Sequence, residues 1–166
     1  MKAGILSDSH DRPAAVEGAL ALFREEGVGA ILHLGDVCSP AILAGIGGSG
    51  IPLAGVFGNN DVDRAGLQGA TGGAFRDGPF IHTLEERTIL MAHSFNELQS
   101  ELGGQGRFDL VLFGHTHRPL TMRVGKALVL NPGESCGLVH GKATCAVVDL
   151  ETMVARILEI PLRPEE

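Results

Sequence analysis

Seven side chains that can bind transition metals stand just beyond apolar segments of the chain. They are Asp8, His10, Asp36, Asn59, His93, His115 and His117. Asp8 and His10 lie two residues apart, which places both side chains on the same side of an extended chain, and the last two histidines repeat this spacing. Imidazole nitrogens with carboxylate or amide oxygens, and no thiolate, suit Mn, Fe, Co, Ni or Zn. Because Asp36 has two carboxylate oxygens, the set predicts two adjacent metal ions that share it, with positions open to water and substrate.

The apolar segments before these residues explain how they could meet. Runs of Val, Ile, Leu and Ala of this length are typical of strands buried on both faces. They cover residues 2–7, 30–34, 52–57, 88–92 and 109–113. In α/β sheets, functional sites collect beyond the carboxyl ends of the strands. The sequence therefore predicts that all seven side chains lie at one edge of the fold.

The first half of the chain alternates between strand and helix patterns. Residues 12–26 predict a helix with Asp11 as its cap, Pro13 in its first turn and Gly27 after its end. A shorter helix is predicted over residues 40–46. This β-α-β-α-β order predicts parallel strands joined by right-handed crossovers.

The second half predicts antiparallel pairing. The predicted pairs are 80–84 with 88–92 around Glu85-Glu86-Arg87, 120–124 with 127–130, and 142–149 with 154–160. Residues 95–102 predict a helix capped by Ser94. The glycine clusters at 45–50 and 66–73 lack the strand-to-helix setting of a phosphate-binding loop, so we interpret them as surface loops. Two strand-rich layers with helices outside them fit this count, which places the chain in the α/β class.

Composition limits the function classes. The chain has 166 residues, 44% of them hydrophobic and 20% charged, which predicts a single domain over residues 1–166 with a sizeable core. The formal charge of −7 disfavours a general nucleic-acid-binding surface. No membrane span or signal peptide is predicted, so a cytoplasmic protein is expected. Cys38, Cys136 and Cys145 show no paired spacing and are expected to be free thiols.

A family resemblance rests on the order of these motifs. The series Asp-x-His, Gly-Asp, Gly-Asn-x-Asp, His and Gly-His-x-His, from Asp8 to His117, resembles that of the calcineurin-like metallophosphoesterases. The run from Asn131 to Gly133 extends the match, and the small size resembles the compact bacterial and archaeal branch of phosphodiesterases. The resemblance implies a four-layer αββα sandwich, in which two facing mixed β-sheets are flanked by helices.

The resemblance also implies a site and a reaction. The first metal would be held by Asp8, His10, Asp36 and His117, and the second by Asp36, Asn59, His93 and His115. The implied ions are two divalent transition metals, with Mn²⁺ the first choice and Ni²⁺, Fe²⁺, Co²⁺ or Zn²⁺ the alternatives. The implied reaction is hydrolysis of a P–O bond by in-line attack of a metal-bridging hydroxide, with Asp36, Asn59 and His93 as its catalytic residues.

Two positions depart from the family pattern. Many members have His where this chain has Asn60, and that His is thought to assist the leaving oxygen. A carboxamide cannot donate a proton as an acid, so Asn60 predicts acidic leaving groups or a slow enzyme. Asp61, which would orient that His, is expected to serve structurally. Glu134 occupies the position where the resembling proteins usually have Ser, which leaves a hydroxyl contact from Ser135 open.

The remaining polar candidates have simpler interpretations. His33 lies within a predicted strand and is expected in the core, whereas His82 and His140 are expected at the surface or in a hairpin. The three arginines Arg12, Arg64 and Arg118 are candidates to contact a substrate phosphate, with exposure to solvent as the alternative.

The leading prediction is a dinuclear metal-dependent phosphodiesterase that acts on a small phosphoester. A phosphomonoesterase is one alternative, because pocket shape alone separates the two. The other is a metal-binding scaffold for protein partners with little catalysis, which a large exposed apolar patch away from the metal ligands would favour. A homo-oligomer is left open.

Overall fold

A computed structural model describes residues 1–103 and 106–162 of the chain. The first of its two mixed sheets has the strand order β11-β10-β1-β2-β3-β4. These strands are β1 (Lys2–Leu6), β2 (Val28–His33), β3 (Leu53–Val56), β4 (Phe75–Arg76), β10 (Thr144–Asp149) and β11 (Val154–Glu159). Strands β1 to β4 are mutually parallel, and β10 and β11 add an antiparallel pair next to β1. The predicted parallel core and the predicted final pair are both confirmed.

The second sheet has the order β5-β6-β7-β9-β8. Its strands are β5 (Phe80–Leu84), β6 (Arg87–Met91), β7 (Leu110–Leu112), β8 (Leu120–Val124) and β9 (Ala127–Asn131). The central three strands are parallel, and the predicted hairpins supply the antiparallel edge strands β5 and β8. The first hairpin turns on Glu85 and Glu86 alone, both with positive φ, so Arg87 belongs to β6.

Three α-helices follow the first strands: α1 (Pro13–Glu26), α2 (Pro40–Gly47) and α3 (Arg64–Thr71). Helix α1 ends at Gly27, which adopts the left-handed conformation as predicted. The prediction that Asp11 caps α1 was wrong, because Arg12 occupies the N-cap without a side-chain cap bond. Asp11 instead donates its backbone N–H to the Val37 carbonyl, which ties the loop after β1 to the loop after β2.

Helix α3 replaces part of the surface loop predicted over residues 66–73. The Asp63 side chain caps it by accepting a hydrogen bond from the Gly66 N–H, and Gly72 ends it in the left-handed conformation. Each glycine inside a helix costs about 1 kcal/mol relative to alanine, so local propensity disfavours this helix. The cap and the complete burial of Leu67 offset that cost, and burial of this kind depends on the rest of the fold.

The helix predicted over residues 95–102 is only one 3₁₀ turn, Phe95–Leu98. Its start matches the prediction, since the Ser94 N–H donates to Glu97 Oε1. A helix in a protein gains most of its stability by burying one face. Leu98 is the only fully buried side chain of this segment, so the α-helical pattern does not continue.

Three apolar clusters define the layers of the fold. Helices α1 to α3 pack on the outer face of the first sheet, around Phe23 and Ile46. The facing sheets enclose a second cluster that includes Ile5 and Leu112. The 3₁₀ helix covers the outer face of the second sheet through Leu98. The predicted αββα sandwich is confirmed. Its central strands, such as β1 and β2, are buried on both faces, whereas edge strand β8 is exposed.

Two further predictions concern the class of protein. Cys38, Cys136 and Cys145 are free thiols, as expected. Within residues 1–103 and 106–162, no helix is long and apolar enough to cross a membrane. The predicted single domain also includes residues 104–105 and 163–166, which lie outside the described ranges.

Candidate metal centre

The loops after β1, β2, β3, β6 and β7 converge at one edge of the sandwich, with Asp36 at their centre. His10 Nε2 lies 3.6 Å and His93 Nε2 3.5 Å from Asp36 Oδ2. These histidines come from different sheets, so the two sheets each bring ligand candidates to the same carboxylate. The structure thus assembles the predicted residues around the aspartate that was expected to be shared.

One group of donors lies on the side of β1. His117 Nε2 is 3.4 Å and His10 Nε2 is 3.8 Å from Asp8 Oδ1. The two imidazole rings stack, with centroids 5.3 Å apart. Asp8, His10 and His117 therefore point donor atoms at a common position.

A second group lies on the side of β6. His93 Nε2 is 3.0 Å from Asn59 Oδ1 and 3.2 Å from His115 Nδ1. With the Asp36 oxygen at 3.5 Å, three potential donors surround one nitrogen of His93. This group meets the first group at Asp36, which is the arrangement expected from sequence.

Two buried atoms in the donor group on the side of β1 indicate whether a cation fits there. Asp8 Oδ1 and His10 Nε2 are buried and have no hydrogen-bond partner. Among the described residues, only one other buried side-chain polar atom is in this state. Burying an unpaired polar atom costs about 1–3 kcal/mol, and a metal ion between a carboxylate oxygen and an imidazole nitrogen would satisfy both. The donor set therefore fits divalent transition metals.

The outer nitrogens of three rings are held away from this centre. His93 Nδ1 lies 2.7 Å from the Leu34 carbonyl oxygen, to which it donates, so Nε2 is the ring nitrogen that faces the site. His117 Nδ1 lies 2.8 Å from Glu134 Oε2, and His10 Nδ1 lies 3.6 Å from Cys38 Sγ. Such outer partners set the tautomer and orientation of metal-binding imidazoles.

Neighbouring groups in this site shift one another's pKa values. Burial alone would lower the pKa of His93, but the hydrogen bond and charge of Asp36 outweigh it and raise this pKa to about 9. Burial would raise the pKa of Asp36, but hydrogen bonds from His93 and Asn60 hold it well below its usual range. Burial raises the pKa of Asp8. A bound cation would replace the proton on His93, so we expect metal binding to release protons and to weaken in acid.

Backbone torsion angles orient several of these side chains toward the centre. Five of the seven candidates have positive φ: Asp8, His10, Asp36, His115 and His117. Non-glycine residues seldom adopt this conformation, and when they do they cluster at functional sites. The turns that end β1, β2 and β7 thus keep strained geometry, which directs their side chains into the centre.

The family follows from a match that spans most of the chain. Residues 1–153 match the model of the calcineurin-like phosphoesterase superfamily domain. The chain belongs to this superfamily. This phosphoesterase is therefore a phosphoric ester hydrolase of a metal-dependent family.

Individual relatives agree with the family match. A phosphodiesterase of Methanocaldococcus jannaschii is 30% identical over 156 residues, which cover 91% of this chain and 94% of the relative. The solved structure of an archaeal phosphodiesterase superposes with a TM-score of 0.88 at 27% identity, covering 96% of this chain and 99% of that one. The phosphoesterase Yfce of E. coli has a TM-score of 0.70 at 20% identity, covering 97% and 100% of the two chains, and at that identity shows a shared fold.

Asp61 joins the ligand loops of this phosphoesterase. Its carboxylate accepts hydrogen bonds from the backbone N–H groups of Gly58 (2.7 Å), Asp36 (2.9 Å) and Cys38 (2.8 Å). These donors lie in the loops after β2 and β3. The structural role expected for Asp61 is confirmed, and it needs no histidine at position 60.

Asn60 binds Asp36 directly through two hydrogen bonds. Its side-chain Nδ2 donates to Asp36 Oδ2 at 2.7 Å, and its backbone N–H donates to Asp36 Oδ1 at 2.8 Å. Each Asp36 oxygen thus accepts one hydrogen bond from Asn60. This contact holds the plane of the carboxylate, a role that its sequence position alone did not indicate.

Sequence reasoning missed Glu134, which it noted only as a departure from the family pattern. Its side chain is fully buried and contacts His117. Ser135 does not contribute a hydroxyl to the centre, because its Oγ donates to the Ser7 carbonyl. The available signal was a carboxylate within a run of small residues, Asn-Pro-Gly-Glu-Ser-Cys, where a charge is buried only with partners.

The other histidines lie where they were expected. His33 is buried, accepts the Gly35 N–H at Nδ1 and donates to Ser9 Oγ from Nε2. Burial lowers the pKa of His33 to about 4, so the ring is neutral near pH 7. His82 is half-buried and His140 is exposed.

A cleft of about 400 Å³ adjoins the second donor group. Asn59, His93 and His115 line this cleft, and its wall also includes Arg64, Asp77, Ser94 and Glu97. The Arg64 guanidinium lies 4.9 Å from the centroid of the Phe57 ring and pairs with Asp77. Of the three candidate arginines, Arg64 is the one in this cleft, whereas Arg12 donates to the Cys136 carbonyl and Arg118 is exposed.

Gly58 permits the close approach of the loops after β2 and β3. A Cβ atom there would overlap the backbone N and Oδ1 of Asp36. We expect Gly58→Ala to lower the free energy of unfolding by about 2 kcal/mol and to weaken metal binding, measured by urea denaturation and calorimetry. Gly47→Ala is the matched control, because nothing lies within 4 Å of its Cβ. Equal effects of the two variants would contradict this account.

Proposed function

We propose that this phosphoesterase is a phosphodiesterase with a dinuclear metal centre. The proposed ligands are Asp8, His10, Asp36 and His117 for one metal, and Asp36, Asn59, His93 and His115 for the other. The pair of unpartnered buried atoms, Asp8 Oδ1 and His10 Nε2, carries this proposal, because they lie 3.8 Å apart and one cation could bind both. Nitrogen and oxygen donors without thiolate favour Mn²⁺, with Ni²⁺, Fe²⁺, Co²⁺ and Zn²⁺ as alternatives.

The proposed reaction is in-line hydrolysis of a P–O bond. When bound, two divalent metals would supply a nucleophile derived from water at neutral pH and would neutralise charge on the phosphoryl oxygens. Asn60 holds Asp36 in one orientation, while Leu34 and Glu134 hold His93 and His117. The chain thus presents an oriented set of donors, and no covalent intermediate with the protein is required.

Charge in the cleft favours a diester over a monoester. Asp77 and Glu97 lie in its wall together with Arg64. Near pH 7 a phosphomonoester carries close to two negative charges and a diester carries one. Arg64 pairs with Asp77, so the wall keeps a net negative charge from Glu97, which repels a monoester more strongly. The Methanocaldococcus relative is itself named a phosphodiesterase, which agrees with this preference.

Metal removal and reloading test this function. We expect chelated protein to lose hydrolysis of an aryl phosphodiester, and reloading with Mn²⁺ to restore it more fully than Mg²⁺ does. Metal content is measured on the same samples, beside a panel of mono- and diesters with Mn²⁺, Ni²⁺, Zn²⁺ and Mg²⁺. If protein loaded with two metals hydrolyses no phosphoester, the proposed function is wrong.

A protein-binding scaffold is the second candidate, because edge strand β8 exposes an apolar row. Leu120, Met122 and Val124 lie on one face of β8 and are 41%, 46% and 58% exposed. Exposed apolar rows on edge strands are typical of association surfaces. A scaffold would bind metal in the panel above without hydrolysing any phosphoester. The single domain, the cytoplasmic location and a homo-oligomer stay predictions.

A further inference from the structure

Glu134 is a buried carboxylate that contacts a candidate metal ligand, His117, on the side of its ring that faces away from the centre. It is 0% exposed, and its Oε2 lies 2.8 Å from His117 Nδ1. Glu134 follows β9, whereas His117 follows β7, so the contact joins two separate loops. It lies on the far side of the His117 ring from Asp8, whose Oδ1 is 3.4 Å from His117 Nε2.

Every other polar neighbour of this carboxylate donates a hydrogen bond to it. The backbone N–H groups of Val139 (3.0 Å) and His140 (2.6 Å) and the Cys136 thiol (3.4 Å) all point at Glu134. The oxygens of Glu134 already accept hydrogen bonds from these three donors, so the carboxylate also acts as the acceptor toward His117, and this bond requires the proton on Nδ1.

A proton on Nδ1 decides what the other nitrogen of the ring can do. A neutral imidazole with Nδ1–H has its lone pair on Nε2, the atom that faces Asp8. We propose that Glu134 is a positioning residue that keeps His117 in this tautomer and aims Nε2 at the metal position shared with Asp8. The inference rests on the proposed function in one respect, the assignment of His117 as a ligand.

A purely structural role for Glu134 makes a different prediction. In that case it would only anchor the loop of residues 134–143 through Val139 and His140, and its loss would lower stability without affecting the His117 ring. Gly137→Ala provides the matched control within the same loop. Gly137 has φ of +67°, and an added Cβ would lie 2.8 Å from the Ala143 backbone N, so this change strains the loop and leaves the carboxylate in place.

The test uses two measurements on the full chain, neither of which is hydrolysis. Nitrogen-15 NMR of the metal-free protein reports the His117 tautomer, and calorimetry reports Mn²⁺ affinity. We expect Nδ1–H in the wild type. Glu134→Ala should yield a mixture of tautomers and bind Mn²⁺ about 10- to 100-fold more weakly. Gly137→Ala should lose stability while it keeps the wild-type tautomer and an affinity within about threefold.

The proposal is overturned if wild-type His117 carries its proton on Nε2, a result that needs no variant. It is also overturned if Glu134→Ala keeps both the wild-type tautomer and the wild-type affinity. Should that variant fail to fold, Glu134→Leu fills more of the same volume and has no hydrogen-bond acceptor, and unchanged tautomer and affinity in it would overturn the proposal equally. Absence of all phosphoester hydrolysis would refute the proposed function but would leave these two measurements valid, so the two failures are distinguishable.

Discussion

Asp36→Asn is expected to lower kcat/KM for an aryl phosphodiester by at least about 10³-fold, which corresponds to roughly 4 kcal/mol of transition-state stabilisation. Asp36 Oδ2 lies within 4 Å of a ring nitrogen from each donor group, His10 Nε2 and His93 Nε2. An amide has the same size but carries no charge, and its nitrogen cannot bind a metal. We therefore expect the variant to lose at least one of two bound metals, measured by metal analysis beside the kinetics.

The matched control is Asp109→Asn. This carboxylate precedes β7, at the opposite end of that strand from His115, and binds the Thr88 N–H and the Lys126 ammonium. The same chemical change there should alter kcat/KM by less than about threefold. The assignment of Asp36 as the shared ligand would be refuted if Asp36→Asn kept two metals and activity within tenfold of the wild type.

The second large effect is expected from Asn60→His, which places an imidazole where many members of the family have the histidine thought to assist the leaving oxygen. General acid catalysis contributes about 10²- to 10⁴-fold, most of it where the leaving group is a poor one. We expect about a 10²-fold gain for diesters of weakly acidic alcohols and little change for diesters of acidic phenols. The measurement is kcat/KM for a series of diesters whose leaving groups differ in pKa. A plot of log(kcat/KM) against leaving-group pKa should have a shallower slope for the variant than for the wild type.

Asn60→Gln separates acid catalysis from the loss of the Asp36 contact. Glutamine also lacks an acid, but its longer side chain disturbs the hydrogen bond that Asn60 Nδ2 makes to Asp36 Oδ2. We expect it to lower kcat/KM by a similar factor for every leaving group, which leaves the slope unchanged. If Asn60→His also changes kcat/KM by the same factor for every substrate, then the absence of an acid at position 60 does not limit the rate of this enzyme.

The strands and helices predicted from sequence were correct where the local hydrophobic pattern agrees with burial in the folded protein. The strands before Asp8 and Asp36 are apolar on both faces and are buried on both faces. They could therefore be identified from their own residues, without knowing which elements pack against them. Prediction from sequence failed for α3, whose glycines favour a loop and whose stability depends on burying Leu67. It also overestimated the helix after Ser94, because only Leu98 of that segment finds a buried site.

The sequence by itself determined the fold class and the seven candidate ligands, since strand ends and donor types are local properties that a chain carries wherever it folds. Only the tertiary structure decided how these ligands are held. The contacts of Glu134 with His117, and of Asn60 with Asp36, join residues 17 and 24 positions apart. No periodicity or spacing encodes such pairs, because they depend on how separate loops approach one another once the two sheets have packed.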